Sequence, residues 1–263
     1  MKSIHVIIVD YLKCDAAIQA TNAVLQQNYD QELIQITVID NSCSSKNFET
    51  LKKGLPNRCN LIQAKTNLGY TKATNLAAST YGAGSDIILL LNPDILMSDP
   101  DTFSRIIENF SDPTYAIVGP AQKNPDGSIP DTVRNVPTLS ALILKRSPLR
   151  SIPPARNIVD RYLMTDFNYK LKQEVPWLQS SCVFINSKFW EKQGGLNEKY
   201  FLFMSDIEVC TKARSAGGKV IYDPSVTVYA DGKRCSGGGF LSIFNNRAVR
   251  YHIKDAMKYY FSR

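Results

Sequence analysis

Asp86-Ile87-Ile88-Leu89-Leu90-Leu91-Asn92-Pro93-Asp94 is the stretch from which the fold can be read. Five consecutive aliphatic residues, Ile87 to Leu91, suit a strand buried on both faces in the middle of a parallel sheet. The run stops at Asn92-Pro93-Asp94, because proline cannot donate to a sheet ladder. The polar carboxyl end exposed in this way is where open α/β sheets bind ligands. A carboxylate there, with an amide two residues before it, suits a hard divalent cation held through oxygen. Taken alone, the tripeptide reads equally as a plain turn.

Upstream, Ile4 to Val9 is a β-branched run ending at Asp10-Tyr11, the first buried strand. A helix over residues 15–28 follows, with Asp15 as its cap. Ile34 to Ile39 reads as a second strand ending in Asp40-Asn41, then a short helix near 46–53 and a third strand around Asn60–Gln63. Thr66-Asn67-Leu68-Gly69-Tyr70 precedes a helix with apolar residues at 73, 76, 77 and 81. After the key strand, Phe103, Ile106, Ile107 and Phe110 mark another helix, and Tyr115 to Val118 a strand closed by Gly119-Pro120. Alternation at this cadence implies an α/β fold with parallel βαβ units, which puts Asp40 and Asp94 on one rim of the sheet.

Several function classes fall away. Asp10-Tyr11-Leu12-Lys13 stands where a dinucleotide fold needs G-x-G-x-x-G, and no G-x-x-x-x-G-K-[ST] occurs, so hydride transfer and P-loop hydrolysis are poor readings. The 263 residues suit one large α/β domain or one with an appendage. A formal charge of +7 favours phosphorylated ligands, anionic membranes or nucleic acid. The six cysteines form no C-x-x-C pair and read as reduced thiols; with two histidines, zinc is an unsuitable ion. No signal peptide or membrane-spanning run is visible, so a cytoplasmic protein, at most peripheral at the inner face of the cell membrane, is expected.

Residues 120–176, rich in Pro, Arg and Asp, read as a long surface excursion with mobile parts, punctuated by Pro137, Pro148, Pro153 and Pro154. Pattern returns at Trp177 to Ile185, a strand with Ser180 and Ser181 midway. Tyr200 to Met204 is an apolar run, with Ser205 between it and Asp206 at the start of a helix. A carboxylate at a helix start can simply complement the macrodipole. One delivered by an apolar run can instead be walled in and serve as a general base.

In order along the chain, these motifs resemble the inverting family 2 glycosyltransferases of GT-A fold, and especially their bacterial rhamnosyltransferase-like branch. The resemblance is carried by Ile7–Val9 with Asp10-Tyr11, Val38-Ile39-Asp40-Asn41, Asn67-Leu68-Gly69-Tyr70 with Asn75, and Leu91-Asn92-Pro93-Asp94. It continues through Asp126-Gly127-Ser128, Arg134, Trp177 to Ile185, Gly194 to Glu198 and Phe203 to Cys210. It implies a single Rossmann-like domain with a mostly parallel sheet over residues 1–238, its nucleotide-sugar half 1–119 and its acceptor half 120–238, followed by a basic amphipathic helix over 239–263. It also implies that a sugar, with rhamnose from dTDP-rhamnose as first choice, passes to a hydroxyl of a surface polysaccharide or lipid-linked glycan. The alternatives are a UDP-sugar donor carrying galactose, glucose or N-acetylglucosamine, and a non-enzymatic glycosyltransferase-like partner protein.

The resemblance assigns roles. Asp206 is the expected catalytic base. Asp10, Tyr11, Asp40, Asn67, Gly69, Lys72 and Asn92 are the expected nucleotide site, and Asp94 the ligand of Mn²⁺ or Mg²⁺ on the diphosphate. Trp177, Ser180, Ser181 and Ser205 are expected to face the acceptor. The sequence departs from the family pattern twice: Ser205 replaces the glutamate before the base, and Ala230 stands where many members offer a metal histidine. Weak, ligand-dependent metal binding is therefore expected, with Asp231 as an added ligand and Lys233 and Arg234 holding the diphosphate.

A nucleotidyltransferase would need a Gly-rich phosphate loop after strand one, which is missing, and no basic recognition helix outside the tail suggests nucleic acid. Phe240 to Phe261 reads as one helix with Arg247, Arg250, Lys254 and Lys258 on a basic stripe. That stripe is either a solvated face or a peripheral contact with anionic membrane.

Overall fold

The structure, a computed structural model, describes residues 1–232 and 245–261. Its frame is three parallel strands whose apolar runs were legible: β1 (Ile4–Asp10), β2 (Ile34–Asp40) and β4 (Ile87–Leu91), flanked by β3 (Asn60–Gln63). Every residue of β4 is buried, as a strand covered on both faces requires. The crossovers are α1 (Cys14–Leu25), α2 (Ser45–Gly54) and α3 (Gly69–Tyr81). Lys13 occupies the cap position of α1, and Asp15 lies inside its first turn.

β5 (Ile95–Leu96), α4 (Thr102–Glu108) and β6 (Tyr115–Lys123) follow. β6 continues through Gly119-Pro120 rather than ending there. Beyond Val118 only β11 (Lys219–Ala230) pairs with it, and proline is tolerated where one side of a strand is unpaired. The sheet order is β3-β2-β1-β4-β10-β6-β11-β5, with β10 (Cys182–Asn186) antiparallel to both β4 and β6. This is the mostly parallel α/β sheet of the GT-A expectation, with β10 reversed at its centre and β5 and β8 (Gln173–Glu174) antiparallel to β11 at its edge.

The stretch read as an irregular excursion instead contains β7 (Val133–Arg134), α5 (Leu139–Arg146), α6 (Pro153–Leu163), β8 (Gln173–Glu174) and β9 (Trp177–Leu178). Pro137 and Pro148 lie just outside the two ends of α5, as breakers do. Pro153 and Pro154 open α6, where the missing N–H costs nothing. Two apolar clusters fill the sheet faces, one around Val6, Leu89 and Phe184, the other around Leu90, Ile185, Trp190 and Tyr222. α7 (Ser187–Gln193) and α8 (Ser205–Ser215) cover the second.

α9 (Arg247–Phe261) begins later than expected, because the side chain of Asn246 accepts from the N–H groups of Ala248 and Val249 and caps it there. Residues 240–244, also expected in this helix, lie outside the described residues. Arg247, Arg250, Lys254 and Lys258 are exposed, whereas Val249, Asp255 and Ala256 are buried. Asp255 is fully buried, and its carboxylate accepts the backbone N–H groups of Phe201, Leu202 and Phe203 at 3.0, 2.9 and 2.9 Å. Tyr251 stacks on Phe201 at 4.3 Å and His252 lies 4.9 Å from the Phe203 ring. α9 thus grips the loop that leads into α8.

Replacing Asp255 by alanine strands three N–H donors. The expected loss is about 3 kcal/mol, a lower urea midpoint at unchanged slope. Unaltered unfolding would remove this clamp from the account.

Candidate active site

The parallel register of β1 and β2 pairs Asp10 directly with Asp40, and both side chains are fully buried. Asn47 of α2 bridges them, its amide donating to Asp10 Oδ2 at 2.6 Å and Asp40 Oδ1 at 3.0 Å. Burial first, and the neighbouring Asp40 charge, raise the pKa of Asp10; bonds from Asn47 and the Lys13 N–H act against that rise. Asp40 Oδ2 is buried and has no hydrogen-bond partner among the described residues.

Asn41 ties the next turn in place. Its side chain donates to Asn67 Oδ1 and the Gly69 carbonyl and accepts from Leu68 N–H. Gly69 has φ +73°, and a Cβ there would lie 2.4 Å from the Phe201 carbonyl oxygen, so the turn and the 201–204 loop need glycine at this approach. Asn67 and Gly69 therefore shape the wall, with Asn67 Oδ1 already accepting from Asn41 and Gly69. Tyr11 is half exposed, and Lys72 is exposed on the first turn of α3.

Asp94 follows β4, and its Oδ2 is 2.7 Å from Lys13 Nζ. β5 pairs with the end of β11, which brings Asp231 alongside: its N–H donates to the Asp94 carbonyl at 3.2 Å, and its carboxylate is 3.7 Å from Lys13 Nζ. Lys13 is aimed there by a turn in which Leu12 takes φ +60°, while its own N–H donates to Asp10. Two carboxylates thus converge on one ammonium group. Two carboxylates completed by phosphate oxygens suit Mg²⁺ or Mn²⁺, so Asp94 and Asp231 fit such an ion once Lys13 moves aside. Among the described residues no three His, Cys, Asp or Glu side chains cluster as a protein-only metal cage. Lys233 and Arg234 lie outside the described residues.

The pairing of Cys182 with Leu91 sets the opposite wall, and Asn92 N–H donates to the Ser181 carbonyl at 2.8 Å. The Ser181 hydroxyl is buried and exchanges hydrogen bonds with Gln122, which removes it from the expected acceptor surface. Trp177 is buried too, its indole N–H bonded to the Asn135 carbonyl. Ser205, the first residue of α8, is buried behind Met204, which takes φ +70° at the helix start.

Asp206 retains an opening to solvent yet sits deep among protein atoms. Burial raises its pKa to about 6, against the opposing pull of the Ile207 and Ser180 N–H groups and the charge of Arg134. Arg134, paired with Trp177 across β7 and β9, lies 5.6 Å above the Trp177 ring and 6.0 Å from that of Tyr162. Its Nε is buried with no hydrogen-bond partner among the described residues. Sequence reasoning placed Arg134 in a motif without giving it a task, and missed Lys13 and Asn47 as site residues. The cadence of Asp10, Lys13 and Asp15 around a strand end held the signal for Lys13.

The chain is 25% identical over 205 residues to the N-acetylglucosaminyl-diphospho-decaprenol L-rhamnosyltransferase of Mycobacterium tuberculosis, covering 74% of this chain and 66% of that one. It is 27% identical over 191 residues to the rhamnosyltransferase WbbL of Escherichia coli, covering 67% and 62% of the two. The chain thus spans just under two thirds of the length of these relatives. Among solved structures, the mannosyltransferase PcManGT from Pyrobaculum calidifontis, in complex with GDP-Man and Mn²⁺, superposes with a TM-score of 0.63 at 16% identity, over 98% of this chain and 64% of that one. The model of the family described as Glycosyltransferase like family 2 matches residues 4–238. With that span and the GT-A sheet beneath it, the chain belongs to glycosyltransferase family 2.

Proposed function

We propose that the protein is an inverting transferase that moves a sugar, rhamnose from dTDP-rhamnose as the first reading, from a nucleotide-diphospho-sugar to a hydroxyl of a surface polysaccharide or lipid-linked glycan. The observation that carries the proposal is Asp206, a carboxylate with a pKa near 6, set across the β4–β10 junction from the paired Asp10 and Asp40 and from Asp94. The sugar assignment is supported by the names of the two relatives.

In this reading Asp40 accepts from the nucleobase once the groups covering its Oδ2 shift, and Asn47 holds that carboxylate in place. Asp94, with Asp231, holds a divalent cation, Mn²⁺ or Mg²⁺, which when bound neutralises charge on the departing diphosphate. Lys13, displaced from the two carboxylates, turns to the phosphates, joined by Lys233 and Arg234. Asp206 takes the proton of the acceptor hydroxyl as its oxygen bonds to the anomeric carbon. The bond from that carbon to the diphosphate oxygen breaks in the same step, and the configuration inverts. Ser180 and Arg134 hold the base ionised and oriented.

Asp206→Asn is expected to lower transfer by at least ~10²-fold. In the unaltered enzyme kcat/KM should rise with pH to a plateau above about 6. A carboxyl whose folded pKa is raised stabilises the fold fully below its unfolded value of 3.8, and that contribution is lost as pH rises through about 6. The melting temperature of Asp206→Asn relative to wild type should therefore climb between pH 4 and 6 and then hold constant. An active asparagine variant would refute the assignment.

Lys13→Met is expected to strengthen Mn²⁺ binding without nucleotide about tenfold, read by the electron paramagnetic resonance of free ion, since it removes a cation within 4 Å of both carboxylates. Wild type should bind Mn²⁺ well only with a nucleoside diphosphate present. Equal affinity in the two proteins would exclude Lys13 as a competitor.

A further inference from the structure

We infer that the α5–α6 ridge, on the acceptor side of the site, is a docking surface for an anionic lipid membrane. This inference deepens the proposed function by giving a lipid-linked acceptor a surface from which to arrive.

α5 and α6 satisfy their own packing with Ala141, Leu142, Val159 and Tyr162, all buried. Five aliphatic side chains remain outside: Leu139 and Ile143, one turn apart on α5, then Leu149, Ile152 and Ile158, exposed by 39, 57, 51, 49 and 40%. Pro148, Pro153 and Pro154 bracket the Leu149–Ile152 turn, in which the Ile152 N–H donates to the Leu149 carbonyl at 2.9 Å. Prolines fix the backbone, so the apolar tips are held outward rather than left to collapse. Soluble surfaces seldom gather so many aliphatic side chains without an occupant.

Charge selects the occupant. Residues 139–161, along α5 and α6, contain Lys145, Arg146, Arg150, Arg156 and Arg161 against the single acid Asp160. α9 adds exposed Arg247, Arg250, Lys254 and Lys258, and it is fastened to the foot of this ridge by the bond from the Tyr260 hydroxyl to the Pro137 carbonyl. The two segments carry formal charges of +4 and +3, when the whole chain carries +7. Aliphatic tips within a basic rim are the pattern of a helix lying in an interface beside anionic headgroups. A protein partner's interface would more often use aromatic side chains, and the ridge exposes none among its large apolar residues.

The ridge also stands at the right place. It leaves the site two residues after Arg134 and returns to it at Tyr162, whose carbonyl accepts from the Asn135 N–H and whose ring lies beside Arg134. A membrane under the ridge would present acceptor head groups to Asp206. The basic stripe of α9 then serves as a flank of this surface, not as a separate anchor.

The test is sedimentation of the full chain with vesicles of phosphatidylcholine alone or with about 30 mol% phosphatidylglycerol. Wild type should pellet with the anionic vesicles only and be released by high salt. Ile143→Ser/Leu149→Ser/Ile152→Ser should lose that binding at least about tenfold while transferring sugar to a lipid-free acceptor as well as wild type does. A wild type that ignores both vesicles overturns the inference, as does a triple variant that still pellets. So does a wild type that self-associates through this face, read as a larger sedimentation coefficient that the triple variant abolishes, with no vesicle binding. Absence of any transfer activity would instead count against the proposed function, since vesicle binding is read without it.

Discussion

The site depends on one strand running against its neighbours. β10 lies antiparallel between β4 and β6, and the Cys182–Leu91 pair fixes how far it slides. A shift of one residue would turn every side chain of β10 to the opposite face of the sheet. The same register sets the Asn92–Ser181 bond, and with it the position of the Ser180 N–H that reaches Asp206. The wall carrying Asp94 and the wall carrying Asp206 are therefore joined by backbone pairing, which is stiffer than any contact between long side chains.

Electrostatics on the two walls follow opposite rules. Asp10 and Asp40 are carboxylates in buried surroundings, made tolerable by a shared amide from Asn47. Asp94 and Asp231 meet a full positive charge from Lys13 nearer the surface. Asp206 has neither arrangement: its strongest influence is burial, with only N–H groups and Arg134 opposing it. A base needs that intermediate state, since a carboxylate tightly paired with a cation would be too weak to take a proton.

The strand ends were legible because they are local. Asp40 and Asp94 announce themselves where an apolar run stops, and Asp206 where Tyr200 to Met204 gives way to a helix. The reversed direction of β10 was not legible, because an apolar run reads the same in either sense. Lys13 and Asp94 are 81 residues apart, and no periodicity connects them. The resemblance points Ser181 and Trp177 at the acceptor, but Gln122 and the Asn135 carbonyl use those groups internally. The prolines at 153 and 154 misled because the same residue ends one helix and begins another.

The clamp of Asp255 on residues 201–203 has a consequence for the order of synthesis. The Asp10–Asp40 pair and its Asn47 bridge are complete in a chain that has emerged through β2 and α2. The loop leading to Asp206 is fastened by a side chain 54 residues after Phe201. On the ribosome, a nascent chain would hold the bridged carboxylate pair well before it holds an ordered approach to Asp206.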